Sequence, residues 1–309
     1  MHTRTEGSGV SAKGLTKIYG GKAAVNDLSF EVTPSMVTGF LGPNGAGKST
    51  TMRLIMGLDR PSGGSVLVGG RAHQDLKWPL REIGGLLESE ALVSGRSARA
   101  HLLALARSNA ISKKRVAEVL ELVGLASVAK KRAGSFSLGM RQRLGLATAL
   151  LGDPGVLILD EPFNGLDPEG IFWMRTLLRG LAKEGRTVLV SSHLMSEVSL
   201  VADNLVVIGQ GRLLASNSVS GFLAEHGRST LVVRSDDQEK LSRELRRRGA
   251  VVEELGDELV VHHSDGAVVG ASALGVGVVL SELSVRSDSL EDIFMELTSG
   301  SAEYQGVHK

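Results

Sequence analysis

The chain has 309 residues, 42% of them hydrophobic, enough for one large domain and a smaller one with ordinary apolar cores. Its 35 basic and 34 acidic side chains leave a formal net charge of +1, which gives no global attraction to nucleic acid or to an anionic surface. The absence of cysteine excludes disulfides, thiolate chemistry and cysteine-type zinc sites, and the polar start MHTRTEGSGV lacks the apolar core of a signal peptide.

Residues 1–9 read as a flexible tail. From Val10 to Phe30, short apolar pieces alternate with turn signals at Tyr19–Gly21 and Asn26–Asp27, which predicts an antiparallel β subdomain. Tyr19 sits in the first of these turns, where its ring either stacks on a base or packs on the sheet.

Val37–Leu41 (VTGFL) predicts a buried strand, and Gly42–Thr50 follows it as GPNGAGKST, the phosphate-loop pattern G-x-x-x-x-G-K-[ST]. Each position has a physical reason. Gly45 and Gly47 allow turns closed to other residues, so that successive N–H groups converge on phosphate oxygens with Gly42, Pro43, Asn44 and Ala46 completing the loop. Lys48 brings a mobile positive charge to the β- and γ-phosphates. Ser49 offers a hydroxyl to Mg²⁺, and the helix beginning at Lys48, with Thr50 in its first turn, points unpaired N–H groups at the same anion.

That helix runs to Met56 and stops at Gly57. A strand is expected over Ser65–Val68, a helix over Leu76–Arg81, and a short apolar run, Ile83–Leu87, ends at Glu88. Helix-spaced apolar residues from Ser97 to Ala129 predict a helical insertion between two strands of the main sheet, followed by a basic connector, Lys130–Arg132. FSLGMRQR (Phe136–Arg143) opens a helix that continues to Leu151, with Ser137 as its N-cap.

VLIL (Val156–Leu159) predicts a buried parallel strand with Asp160 and Glu161 at its carboxyl end, where ligands sit in open α/β sheets. A helix over Gly170–Lys183, a strand over Thr187–Val190 ending in Ser191-Ser192-His193, a helix over Met195–Ala202 and a β pair (Asn204–Ile208, Arg212–Ala215) complete this part.

A composition change at Glu225–Ser229 sets a domain boundary, giving domains over 10–225 and 228–299. Strand Leu231–Arg234, helix Gln238–Arg248, strands Val251–Leu255 and Leu259–His262, helix Val268–Leu274, strand Val278–Leu283 and helix Leu290–Leu297 give the order βαββαβ of a ferredoxin-like domain. Leu241 and Leu245 give the basic helix a core face and leave its arginines solvated. His262 and His263, adjacent in a strand, point to opposite faces and cannot share a metal. Residues 300–309 read as a second flexible tail. The longest weakly polar run, Gly266–Ser281, falls short of the roughly 20 apolar residues that span a bilayer.

Taken together, residues Ala12–Leu223 resemble the nucleotide-binding subunits of ABC transporters. The resemblance implies a P-loop NTPase fold of ABC type: a parallel core sheet, an antiparallel β subdomain and a helical insertion. Asp160-Glu161 resembles the Walker B motif with its catalytic glutamate: Asp160 holds Mg²⁺ through water and Glu161 polarises the attacking water. His193 resembles the switch histidine. FSLGM takes the place of the LSGGQ signature, with Ser137 and Gly139 matching and Phe136, Leu138 and Met140 departing. Asn164–Asp167 resembles the D-loop, and Tyr19 the aromatic that stacks on adenine, which favours ATP over GTP. Glu88 stands where the family has the Q-loop glutamine; its carboxylate can still ligate Mg²⁺ but donates no hydrogen bond unless protonated.

Glu88, the signature and the added C-terminal domain ending LEDIFMELT look most like the ATPases of drug, antibiotic and lantibiotic-type peptide exporters. The resemblance implies an ATPase using ATP and Mg²⁺, working as a homodimer on separate transmembrane permease chains, at the cytoplasmic face of the membrane and without nucleic acid. The alternatives are a soluble ABC-type ATPase acting on ribosomes or DNA, and a nucleotide-driven regulatory dimer without transport.

Overall fold

The computed structural model describes residues 8–87, 92–193, 195–262 and 264–298. The chain divides into two compact units, one running to Phe222 and one over Leu223–Glu296. In the first, β1 (Val10–Tyr19) and β2 (Lys22–Val32) form a hairpin turned at Gly20 and Gly21, both at positive φ. β3 (Val37–Leu41), buried at every position, leads into the phosphate loop and α1 (Lys48–Ile55). Then come β4 (Gly63–Val68), α2 (Pro79–Glu82) and β5 (Ile83–Leu86). The insertion consists of α3 (Ala98–Ser108) and α4 (Lys113–Leu122), each capped by a serine, Ser97 and Ser112.

α5 (Leu138–Leu150), β6 (Val156–Asp160), α6 (Pro168–Lys183), β7 (Thr187–Ser191) and α7 (Met195–Ser199) follow. β8 (Asn204–Gly209), β9 (Arg212–Ser218) and α8 (Val219–His226) carry the chain to the second unit. A six-stranded sheet has the order β5-β6-β7-β3-β8-β9, parallel except for β9, and an antiparallel three-stranded sheet has the order β2-β1-β4. The period of two along β6 splits its side chains between two cores. Val156 and Ile158 join the β-subdomain and α1 on one face, with Phe40 and Met52, while Leu157 and Leu159 join α3, α5 and α6 on the other. Because β6, β7 and β3 are parallel neighbours, their carboxyl ends deliver Asp160, Ser191 and the phosphate loop to one edge.

The second unit contains β10 (Ser229–Ser235), α9 (Gln238–Arg247), β11 (Val251–Leu255), β12 (Glu258–His262), α10 (Gly266–Val276), β13 (Leu280–Ser287) and all but the last two residues of α11 (Leu290–Thr298). Its antiparallel sheet has the order β11-β12-β10-β13, the pairing of a ferredoxin-like fold. Leu241 and Leu245 of α9 are fully buried, as their spacing predicts. The basic residues at its end neutralise Glu244: Arg247 and Arg248 bond its carboxylate at 2.8 and 2.7 Å and hold its pKa down from 4.5 to about 2.

Local differences from the sequence reading have local causes. The helix expected over Leu76–Arg81 is a 3-10 turn (His73–Asp75) and the short α2, because Pro79 turns the preceding Trp78 away from helical backbone. Val278 does not begin a strand: Gly277 stops α10 in the left-handed conformation, and the Val278 N–H closes on Ala273 O at 2.9 Å. β13 therefore starts at Leu280 and extends to Ser287. α8 went unpredicted, since Gly221 interrupts a weakly periodic stretch. Glu88, His263, residues 1–7 and residues 300–309 lie outside the described residues, whereas Ser8, expected in the first tail, is buried and its carbonyl accepts from Thr187 Oγ1 at 2.7 Å.

The contact that sets α5 against the core sheet depends on two glycines. A Cβ on Gly84 of β5 would lie 2.0 Å from Ala149 O, and one on Gly145 of α5 would lie 2.5 Å from Leu86 Cδ1. Gly84→Ala forces backbone from backbone and is expected to cost about 1–3 kcal/mol. Gly180→Ala on α6, where an added Cβ meets nothing within 4 Å, should be neutral or stabilising. Urea unfolding followed by circular dichroism checks both; equal midpoints for the two variants refute the close-packing argument.

Candidate functional site

The phosphate loop is shaped by what its glycines touch. Gly45 and Gly47 have φ of 81° and 99°, and a Cβ on Gly47 would come within 2.4 Å of Ala24 O. Only glycine fits there without displacing β2. The Ala46 N–H turns back to Pro43 O at 3.1 Å, and the first amide of α1 with an intrahelical partner is that of Thr51, to Gly47 O at 2.9 Å. The amides of Lys48, Ser49 and Thr50 thus precede the first helical bond, at the positive end of the helix dipole.

Lys48 is buried, 9% exposed, and its ammonium donates to Gly42 O at 2.6 Å and Pro43 O at 3.2 Å. Burial pulls its pKa below the ordinary lysine value, while Glu161 and Asp160 pull it back up. A polyanion at the loop adds to those raising charges and favours the ammonium further. Loop and carboxylates share one cleft of about 300 Å³, lined by Ala24, Pro43, Asn44, Gly45, Gly47, Lys48, Ser49, Thr50, Asp160 and Glu161.

On the acidic side, Ser191 Oγ donates to Asp160 Oδ1, across the register pair that joins β6 to β7. Glu161 has φ of 50°, a left-handed conformation that costs a non-glycine residue of order 1–2 kcal/mol. Four bonds hold it there: its N–H donates to Ser191 Oγ at 3.0 Å and Ser191 O at 3.2 Å, and its carbonyl accepts from Gln142 Nε2 at 2.9 Å and the Asn164 N–H at 3.2 Å. Its carboxylate meets His193, with Oε2 2.7 Å from the ring Nδ1 and 3.3 Å from the backbone N–H.

The structure thus brings together Gly42–Thr50, Asp160, Glu161 and, through Glu161, His193. Tyr19, Ser137 and Gly139 do not line the cleft. The Tyr19 ring is 46% exposed, so it is not packed away in the sheet; its hydroxyl donates to Asp59 Oδ2 at 2.9 Å and Lys17 Nζ lies 4.9 Å from the ring centre. Ser137 caps α5, its Oγ accepting from the Met140 N–H at 3.3 Å, and stays exposed. Gly139 lies against the loop of Asn164–Asp167: a Cβ there would meet Gly165 O at 3.1 Å.

Three contributors escaped the sequence reading. Ser191 and Gln142 position the backbone of Glu161, and Ala24 walls the phosphate loop. Only Ser191 carried a signal, its place at the carboxyl end of a buried parallel strand. Gln142, 2% exposed inside α5, shows its role only when the helix is docked.

The donor set suits a nucleotide with Mg²⁺. Among the described residues, no cluster of three or more acidic, histidine or cysteine side chains could hold a metal alone. Ser49 and Asp160 offer two oxygens at one cleft, which fits an ion that keeps water and phosphate oxygens for its remaining positions.

Comparison with known proteins agrees with this geometry. Residues 25–164 match the ABC transporter family model, and residues 229–291 match a domain of unknown function. The bacitracin transport ATP-binding protein of Bacillus licheniformis is 39% identical over 304 residues, covering 93% of this chain and 96% of that protein. The Nod factor export ATP-binding protein I of Rhizobium leguminosarum bv. viciae is 35% identical, covering 95% and 96%. A lantibiotic transport ATP-binding protein of Streptococcus pyogenes is 37% identical over 207 residues, 67% of this chain and 90% of its own. Among solved structures, an ATP-binding subunit of an ABC transporter superposes with a TM-score of 0.64 at 26% identity, covering 70% of this chain and 92% of that one. A dimeric ATP-binding cassette in a post-hydrolysis state with ADP and Pi gives 0.62 at 25%, covering 68% and 98%. No helix among the described residues is long and apolar enough to cross a membrane. Phosphate loop, strand-end carboxylates and family match converge: the chain belongs to the ATP-binding subunits of ABC transporters and carries their ATPase domain.

Proposed function

We propose that this subunit works as an ATP-driven homodimer on separate permease chains at the inner face of the membrane and powers export of an antibiotic or peptide. Support for the export class comes from the relatives, named for bacitracin, lantibiotic and Nod factor transport. The observation that carries the catalytic assignment is Glu161, held in a left-handed backbone with its carboxylate on His193 at the rim of the phosphate cleft.

In this reading Lys48 exchanges its two carbonyl partners for phosphate oxygens, and the open amides at the start of α1 take further oxygens. Ser49 and Asp160 hold Mg²⁺, which when bound supplies charge neutralisation at the phosphates. Ser191 fixes the Asp160 carboxylate. Glu161 accepts a hydrogen bond from the attacking water, and His193 orients that carboxylate. Glu88 would add a further Mg²⁺ ligand. Ser137 and Gly139 complete the partner's site: they lie outside their own cleft, at the exposed start of an otherwise largely buried helix, whose first amides can reach a γ-phosphate on another copy. Domains over 10–225 and 228–299 divide these tasks, with the first holding every proposed site residue.

Removing the general base without disturbing the loop separates turnover from binding. Glu161→Gln is expected to lower kcat by about 100-fold or more, the usual scale of general-base catalysis, while ATP affinity changes by less than about threefold. His193→Ala should show the same pattern. Steady-state ATPase assays with fluorescent-nucleotide titration test this; a Glu161→Gln protein with wild-type turnover refutes the assignment.

Tyr19 gives a second test. Tyr19→Ala should weaken ATP binding by roughly fivefold, about 1 kcal/mol of lost stacking, and Tyr19→Phe should retain most of it. If both substitutions weaken binding equally, the hydroxyl contact to Asp59, rather than the ring, is what matters.

A further inference from the structure

Among the described residues, the sheet of the second unit ends in two unpaired edge strands of opposite character. β11 presents VVEEL, with Glu253 and Glu254 and no basic residue, so no antiparallel pairing with a copy of itself can match opposite charges. Charged edges of this kind resist strand addition. β13 presents LSELSVRS, with one acid and one base placed symmetrically about Ser284.

A two-fold axis normal to a sheet pairs residues of the same face, so a strand meeting its own copy must be centred on a residue. Centred on Ser284, β13 sets Glu282 opposite the copy's Arg286, and Arg286 opposite the copy's Glu282. On the other face Leu283 meets Val285 twice. Centring on Glu282 or on Arg286 sets like charges opposite each other, and no other centre within the strand pairs the two charges.

The side chains concerned are available. Leu283 is 40% exposed and Val285 66%, although both lie on the face that α9 and α10 cover at the neighbouring Val233 and Leu231. Within the chain Glu282 forms a surface ion pair with Arg234 at 3.4 Å and accepts from Ser284 Oγ at 2.9 Å, and Arg286 forms a surface ion pair with Glu258 at 3.3 Å. Such pairs contribute little, so exchanging them for cross-strand partners has a small cost.

We infer that β13 is a self-pairing edge through which two copies of this chain join their C-terminal sheets, independently of nucleotide. The pairing satisfies the outward backbone groups of both edge strands and lets Leu283 and Val285 of the two copies cover one another. Its occupant is a second copy because the charge pattern is complementary to itself.

The chain contains no cysteine, so one substitution gives a specific probe. In the centred register Ser284 lies opposite its own copy at a Cα separation of about 4.5–5.5 Å, within disulfide reach. Full-length Ser284→Cys, oxidised with diamide without nucleotide, is expected to form a covalent dimer, while Glu253→Cys on β11 stays monomeric. Absence of the Ser284→Cys dimer, or equal cross-linking of Glu253→Cys, overturns the inference.

Charge reversal supplies an independent readout by sedimentation. Glu282→Arg should weaken nucleotide-free association about tenfold, and Glu282→Arg with Arg286→Glu should restore it. The intrachain pairs predict the opposite order, because the double variant sets Arg234 against an arginine and Glu258 against a glutamate. A double variant that associates more weakly than the single one therefore overturns the proposal. Both measurements omit ATP, so their failure leaves the catalytic reading standing, and failure of that reading leaves these results intact.

Discussion

The buried ammonium of Lys48 is the constraint on which the active half of this molecule depends. A lysine 9% exposed needs partners, and it finds two carbonyls of its own loop, Gly42 and Pro43. That arrangement is possible only because the loop folds back tightly, with Gly47 against the Ala24 carbonyl. The loop therefore stands preformed, with a charge whose pKa burial has lowered and which an anion can restore.

A second hub connects the elements around the cleft. Glu161 sits in an unfavourable backbone conformation at the junction of β6 and its following loop, and Ser191 from β7 and Gln142 from α5 hold it there. α5, the helix that Ser137 caps, is thus tied to the backbone of Glu161 through Gln142. The same helix packs on β5 through glycine at close range, and β5 leads directly toward Glu88. Close backbone packing of this kind transmits displacement because it has little room to absorb it.

The C-terminal unit follows a different logic. Its core is ordinary, with α9 and α10 over one face of a four-stranded sheet. Its edges carry the information: one is guarded by like charges, and the other is patterned to meet its own copy.

The family, the phosphate loop, the strand-end carboxylates and the βαββαβ order were legible in the chain, because each rests on local chemistry: glycine conformations, buried apolar runs of four or five residues, and acids that end them. Even Ser137 as a helix cap was legible from its neighbours. Tertiary structure alone decided which residues support Glu161. Ser191 and Gln142 are 30 and 19 positions from it and meet it only because β7 pairs with β6 and α5 docks beside them. It also decided where elements stop, as at Pro79 and Gly277. The symmetry of LSELSVRS was present in the chain throughout, but its meaning required the sheet order: the same eight residues in a central strand would face two neighbours and have no free edge.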